Sequence, residues 1–102
     1  LVITDLNQAI VWVNEGFTEM TGYHKKYALG KRPSFLQGAK TSKMIKRQIK
    51  DQLSNNHCYK GSIVNYRKNG EAYRCQIDIV PIYGSTGEQT HFIALEKELL
   101  AA

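Results

Sequence analysis

The chain has 102 residues, of which 42% are hydrophobic, and a formal net charge of +5. This length supplies one core and excludes two domains, and no apolar run approaches the roughly 20 residues of a membrane-spanning helix. Its only cysteines, Cys58 and Cys75, exclude a disulfide framework and a CxxC site, which favours a reducing, cytoplasmic compartment. The start, Leu1-Val2-Ile3, lacks an initiator methionine and a secretory signal, so we expect a soluble piece of a longer protein.

The first third of the chain alternates short strands with short helices. Residues 1–5 and 9–13 are β-branched and aromatic runs separated by a polar break, which predicts a strand pair. Asn14 is a favourable N-cap and Gly22 a favourable stop for the helix between them. A second helical turn is expected over 24–29.

The middle of the chain contains one long amphipathic helix. Pro33 predicts an irregular turn before it, which should present Phe35 and Leu36 inward. Thr41 or Ser42 is expected to cap the helix. Its apolar positions are Ile45, Ile49 and Leu53, and its outward basic positions are Lys43, Lys46, Arg47 and Lys50. Because a run of charge of this kind is typical of a solvated helix face, we expect no nucleic-acid partner and no direct membrane contact.

From Cys58 onward the hydrophobic pattern has period two, which indicates strands. Residues 62–67 and 72–83 flank an Asn69-Gly70 pair that is typical of a tight hairpin. A last strand is expected over about 88–96, and the strong helix formers of 97–102 suggest the start of a linker or output helix. The order of elements predicts an α+β fold, a five-stranded antiparallel sheet with helices packed on one face.

These segments resemble the PAS superfamily along essentially the whole chain. The segments that carry the resemblance are Ile3-Thr4-Asp5, Val13 to Phe17, Met20 to Tyr23, Leu29-Gly30-Lys31, Asn65 to Gly70, Val80-Pro81-Ile82 and His91 to Leu95. The resemblance implies a PAS sensory domain over 1–96 that transmits signals and catalyses nothing itself. It also implies a homodimer and an adjacent output domain in the parent protein, either a two-component histidine kinase or a diguanylate cyclase.

The segment Gly30 to Gly38 looks like the flavin-binding helix of light-oxygen-voltage photoreceptors, whose pattern is Gly-x-Asn-Cys-Arg-Phe-Leu-Gln. Pro33 stands where that family has its photoreactive cysteine, so we expect no light-driven adduct. Gln37 and Asn65 match the family's flavin-contacting amides, whereas other positions are substituted. The candidate pocket residues implied by the resemblance are Arg32, Phe35, Gln37, Lys50, Asn65, Cys75 and Glu96.

The substitutions among these residues weigh against a flavin. Arg32 replaces an asparagine, Ser34 the phosphate-binding arginine, Cys75 a second ring-edge asparagine and Glu96 a glutamine. Each buried hydrogen-bonding partner left unmade costs about 1–3 kcal/mol. We therefore expect an empty or differently filled pocket, with a non-adduct flavin redox sensor as an alternative.

Other kinds of site find no support in the sequence. His24, His57 and His91 do not share metal-ligand spacing, and the long helix lacks the axial histidine of haem-binding PAS domains. No nucleophile stands beside a base. Trp12 and Tyr23 are expected to pack in the core. Two functions remain open: a sensor of a small-molecule ligand, and a cofactor-free scaffold that sets dimer geometry.

Overall fold

The computed structural model describes residues 1–100. It contains the strands β1 (Val2–Thr4), β2 (Ile10–Val13), β3 (Tyr59–Tyr66), β4 (Ala72–Tyr83) and β5 (Gln89–Leu99), the helices α1 (Glu15–Thr21), α2 (Lys25–Ala28) and α3 (Lys43–Ser54), and a 3₁₀ helix at Pro33–Leu36. Among these residues, no helix has both the length and the apolar character needed to cross a bilayer.

The five strands form one sheet in the order β2-β1-β5-β4-β3, and every pairing is antiparallel. The predicted five-stranded antiparallel sheet is therefore confirmed. β5 comes last in the chain but lies at the centre, where Ala94 is opposite Val2 of β1 on one side and Ile79 of β4 on the other.

One face of the sheet is buried under the helices. Along β4, Tyr73, Cys75 and Ile77 are buried while the intervening Arg74 is exposed, as the period of two in a strand requires. These residues form one half of the core with Ile63 of β3 and the apolar stripe of α3. The other half consists of Val2, Ile10, Val13, Phe17, Ala28 and Leu36.

The ends of α1 follow the sequence signals closely. The Asn14 side chain accepts a hydrogen bond from the Phe17 amide at 3.1 Å. Gly22 adopts φ +78° and donates its amide to the Thr18 carbonyl at 2.8 Å, a left-handed cap that disfavours other residues. Both predicted ends of the helix are therefore confirmed.

Ser42, of the two candidates, caps α3, because its hydroxyl accepts from the Ile45 amide at 3.2 Å. Thr41 is buried and fastens the start of the helix to the sheet instead. Its hydroxyl donates to the Val64 carbonyl at 2.7 Å and accepts from the Gly38 amide at 3.0 Å. The segment between the 3₁₀ helix and α3 is thus attached directly to β3.

The C-terminal elements differ from the prediction in two places. β3 begins at Tyr59, and β5 continues to Leu99. A helix starting at residue 97 is wrong for Lys97–Leu99, because these residues pair with Gln76, Cys75 and Arg74 of β4. The non-local ladder of β4 outweighs the local helix propensity there. Residues 101 and 102, which the predicted helix also included, lie outside the described residues.

The Asn69-Gly70 hairpin has a wider turn than a two-residue loop. Only Gly70 has positive φ, +91°. The Arg67 amide donates to the Glu71 carbonyl at 2.8 Å, and the Gly70 amide donates to the Arg67 carbonyl at 2.9 Å. This longer loop places Arg67 where its side chain can reach the helices and the centre of the sheet.

Candidate functional site

A cavity of about 510 Å³ lies between the inner face of the sheet and the helical layer. Its volume is within the range of roughly 300–1,000 Å³ that small-molecule sites occupy. All five strands except β2 contribute to its wall, together with the loop after β1, the 3₁₀ helix and α3. The lining residues used below are Asn7, Arg32, Gln37, Lys46, Lys50, Ile63, Asn65, Ile77, Ile79, Phe92 and Glu96.

The sheet supplies an apolar floor to this cavity. Ile63, Ile77, Ile79 and Phe92 come from three adjacent strands and face the same side. A surface of branched and aromatic side chains of this kind suits an apolar ligand, because burial of apolar surface is favourable by about 25 cal/mol per Å².

Three basic side chains lie on the opposite, helical side. Lys46 and Lys50 are one turn apart on α3 and share a face, and Arg32 precedes the 3₁₀ helix. All three residues are exposed, and the Arg32 Nε donates to the Asn7 carbonyl at 3.1 Å, which ties the loop after β1 to the rim. The arrangement forms a positive rim suited to an anionic group.

Two amides lie deeper in the cavity. Asn65 is 4% exposed and sits on β3 opposite Tyr73. Gln37 is half-buried at the end of the 3₁₀ helix, where its backbone N–H donates to the Ser34 carbonyl at 3.0 Å. Each amide side chain offers both donors and an acceptor, as the edge of a heteroaromatic ring requires.

Glu96 contributes a half-buried carboxyl group from β5, opposite Ile77. Among residues 1–100, no side chain forms an ion pair or a hydrogen bond with it. Burial raises the pKa of this carboxyl to about 7, and the Leu1 ammonium opposes the shift. Glu96 also lines a smaller cavity of about 130 Å³ beside Phe17 and Met20.

The other two candidate residues lie outside the lining. Phe35 packs in an aromatic group, 5.0 Å from the Tyr23 ring centroid and 5.8 Å from that of Tyr27. Cys75 is fully buried among Ile63, Tyr73 and Ile77, and burial and the nearby Glu96 raise the pKa of its thiol to about 12. It fills the core as a small apolar side chain.

The sequence comparison with photoreceptors missed two parts of the site. Lys46 lies four residues before Lys50, so helical spacing alone could have found it. The loop 6–8 reaches the cavity through the Arg32 contact, which no local pattern indicates. In the described part of the chain, no group of three or more potential metal ligands occurs.

A second polar cluster, centred on Arg67, lies next to the cavity. The Arg67 side chain is 19% exposed and binds Glu71 at 2.5 Å and Glu98 at 2.7 Å. It also donates to the Met20 carbonyl at the end of α1 at 2.6 Å, and its guanidinium stacks 4.2 Å from the Tyr73 ring centroid. We call these residues the Arg67 cluster. It connects α1, the β3–β4 hairpin and β5.

Comparison with known proteins agrees with this architecture. A family model described as a PAS domain matches residues 1–99. The chain belongs to the PAS domain family. A PAS domain is a sensory module that catalyses nothing itself, as the resemblance implied.

Individual relatives are similar to this PAS domain over nearly its whole length. A blue-light photoreceptor of Listeria innocua is 33% identical over 97% of the chain and 40% of its own length. A nitrogen fixation regulatory protein of Klebsiella oxytoca is 28% identical over 95% of the chain and 20% of its own length. The chain therefore spans two fifths or less of these two relatives.

A solved structure from work on a flavin analogue and the mechanism of a light-oxygen-voltage domain superposes with a TM-score of 0.92. It is 25% identical, over 97% of this chain and 76% of that one. The cavity described above therefore occurs within a fold shared with light-oxygen-voltage domains.

Proposed function

We propose that this PAS domain is the ligand-binding sensor of a larger signalling protein, and that its cavity takes a planar heteroaromatic ligand with an anionic tail. The observation that carries the proposal is the cavity of about 510 Å³ with an apolar floor, a buried and a half-buried amide side chain, and a basic rim. A flavin mononucleotide has this chemistry, and the photoreceptor relatives favour it as the first ligand to test.

The residues present fit such a ligand in their chemical type. Asn65 and Gln37 match the donors and acceptors of a ring edge, and Lys46, Lys50 and Arg32 match a phosphate. A bound flavin would supply redox and photochemical reactivity to the domain. Pro33 lines the cavity, while Cys75 is packed in the core and Cys58 is exposed, so the domain offers no lining thiol for an adduct.

The test of this proposal is a titration of the purified domain with flavin mononucleotide, in which binding is measured by quenching of the flavin fluorescence. We expect saturable binding and an absorption band between about 350 and 500 nm in the complex. Illumination should leave that band unbleached. Absence of binding by flavin mononucleotide and by riboflavin would contradict the proposal.

Charge-matched variants locate the phosphate. The double variant Lys46→Ala/Lys50→Ala should raise the dissociation constant for flavin mononucleotide by about tenfold or more, equivalent to about 1.4 kcal/mol. The control Lys40→Ala/Lys43→Ala removes the same charge near the start of α3 but outside the lining. Riboflavin, which has no phosphate, should respond equally little to both variants.

The signalling partner is proposed from the PAS resemblance. The domain acts as a homodimer in a cytoplasmic two-component histidine kinase, with a diguanylate cyclase as the alternative output. Autophosphorylation of the full-length parent, measured with and without flavin mononucleotide, tests this pairing. A parent chain without a kinase domain would contradict the histidine kinase assignment.

A cofactor-free dimerisation scaffold is the second candidate. The observation that favours it is on the outer face of the sheet, where Trp12 is 40% exposed and Leu95 is 47% exposed. Trp12 was expected to pack in the core, but its position opposite Ile3 turns it outward. Native mass spectrometry distinguishes the two candidates. A small molecule that stays bound to the purified domain supports the sensor, and a ligand-free dimer that binds no flavin supports the scaffold.

A further inference from the structure

The carboxyl of Glu96 lines the cavity without an ion pair or a side-chain hydrogen bond among the described residues. Its strand neighbours place it on the inner face, between the half-buried positions Ala94 and Glu98. It lines both the main cavity and the smaller one, so it has open space on two sides. A buried carboxylate is normally paired, because removing the charge from water is costly.

No basic side chain among the described residues forms an ion pair with Glu96. Arg32, Lys46 and Lys50 line the same cavity from the helical side, yet none forms an ion pair with it. Arg67 is committed to Glu71 and Glu98. The carboxyl group therefore faces the cavity with its hydrogen-bonding capacity free for a ligand.

The titratable and charged groups around Glu96 come from every neighbouring element. One of them, the Leu1 ammonium of the segment before β1, lowers the pKa of the carboxyl and so opposes the effect of burial. α1 contributes Gly16, Phe17 and Met20 to the adjoining wall, none of which titrates. The remaining groups are Tyr73 and Cys75 of β4, Glu98 of β5, Lys46 and Lys50 of α3, and Arg32.

We infer that Glu96 binds the ligand as a neutral carboxylic acid that donates a hydrogen bond to an acceptor atom of the ligand, so that binding depends on a proton. This inference rests on the proposed function, since it concerns a ligand in the same cavity. A neutral acid can donate, whereas a carboxylate can only accept. Ligand acceptors would therefore be rejected once Glu96 ionises.

Riboflavin is the suitable probe, because a phosphate monoester itself titrates near pH 6 and would obscure the effect. From about pH 6 to about pH 8.5, the dissociation constant of the wild-type domain for riboflavin should rise roughly tenfold to thirtyfold, as loss of one bound proton requires. The Glu96→Gln variant keeps a donor that does not titrate. Its dissociation constant should stay constant over the same range.

A carbon-13 NMR titration of the Glu96 carboxyl in the ligand-free domain tests the protonation of Glu96 separately from the binding of flavin. A midpoint near neutrality supports the inference without any ligand, and a midpoint near the ordinary glutamate value of about 4.3 overturns it. Equal pH dependence of riboflavin binding in the wild type and the Glu96→Gln variant also overturns it. If no flavin binds at any pH while the midpoint is near neutrality, the flavin assignment fails and the protonated carboxyl stands.

Discussion

Glu96 and Glu98 are two carboxylates on one strand, two residues apart and facing the same side of the sheet. Glu98 is 33% exposed and is bound by Arg67 at 2.7 Å. Glu96 lies in the cavity without a partner among the described residues. Glu98 is thus part of the Arg67 cluster, whereas the carboxyl of Glu96 is free to contact a ligand.

The difference shows that paired and unpaired carboxylates alternate along a single strand. The Arg67 cluster joins three elements with charged hydrogen bonds, and the pair with Glu71, which is 61% exposed, should contribute least to stability. The cavity contains polar groups that protein contacts do not saturate. Unsatisfied polar groups in an otherwise well-packed domain are a mark of a binding site.

Removing Arg67 should produce the largest effect, because it makes Glu98 as unpartnered as Glu96. We expect Arg67→Ala to lower the free energy of unfolding by about 2–3 kcal/mol, since it strands a mostly buried carboxylate and the Met20 carbonyl. Urea denaturation measures the change. Arg74→Ala is the control: among residues 1–100 its side chain makes one hydrogen bond, at 3.5 Å to Ser62, and the change should cost less than about 0.5 kcal/mol.

An equal loss in the Arg67 and Arg74 variants would mean that the Arg67 contacts do not stabilise the fold. Glu96 and Glu98 would then differ in their contacts but not in their contribution to stability.

The attachment of the cavity roof to β3 can be broken at Gly38. A Cβ atom at this position would lie 2.5 Å from Cε1 of Tyr66, whose hydroxyl accepts from the Lys40 amide at 2.9 Å. Gly38→Ala should therefore cost about 1–3 kcal/mol through overpacking. Gly16→Ala is the matched control, because its nearest atom is 3.5 Å away and α1 should gain about 0.5–1 kcal/mol.

Thermal unfolding of the two glycine variants gives the sign directly. If both variants shift the midpoint in the same direction, Gly38 is not a close-packing position.

The open carboxyl should show itself in the pH dependence of stability. Because the pKa of Glu96 is raised to about 7 in the folded state, the folded domain binds more protons than the unfolded chain between about pH 4.5 and pH 7. Stability from this group therefore falls as pH rises through that window. At pH 8, the free energy of unfolding of Glu96→Gln should exceed that of the wild type by about 1–2 kcal/mol, a value reduced to account for screening by solvent in the cavity. The difference should vanish near pH 4.

Denaturation curves at several pH values measure this difference. Glu19→Gln, an exposed glutamate of α1, is the control for loss of one charge. A difference that grows toward low pH has the wrong sign and would contradict the assignment.

The two thiols sharpen the contrast between core and surface with the smallest effect on stability. At pH 8, iodoacetamide should modify the exposed Cys58 and leave Cys75 unmodified, because burial keeps the Cys75 thiol protonated, with a pKa of about 12. Mass spectrometry should find one adduct in the folded domain, none in Cys58→Ser, and two in urea. Modification of Cys75 in the folded domain would show that the half of the core formed by Ile63, Tyr73, Cys75 and Ile77 opens readily.

The sequence predicts those parts of the fold that local chemistry determines. The caps Asn14 and Gly22 define α1, and the period-two pattern identifies β4 with its correct ends. The stretch 97–99 was misassigned, because Glu, Lys and Leu favour a helix locally while the pairing partner, β4, is distant in sequence.

The site shows the same division between local and non-local information. Resemblance alone suggested Arg32, Gln37, Lys50, Asn65 and Glu96, which the structure places around one cavity. It could not distinguish Cys75 from Glu96, since both face inward on adjacent strands. Their difference in depth follows from Tyr73 and Ile63, which enclose the thiol, whereas Glu96 lines the cavity.

The central place of β5 has a geometric consequence for the transfer of information. The pair β1–β2 and the long hairpin β3–β4 are joined within the sheet only through this strand. A change of tilt or register at Glu96 would therefore rotate one hairpin relative to the other, rather than loosen an edge. Binding of a ligand in the cavity would then change the angle between the two hairpins, and a neighbouring domain that contacts both hairpins would sense this change.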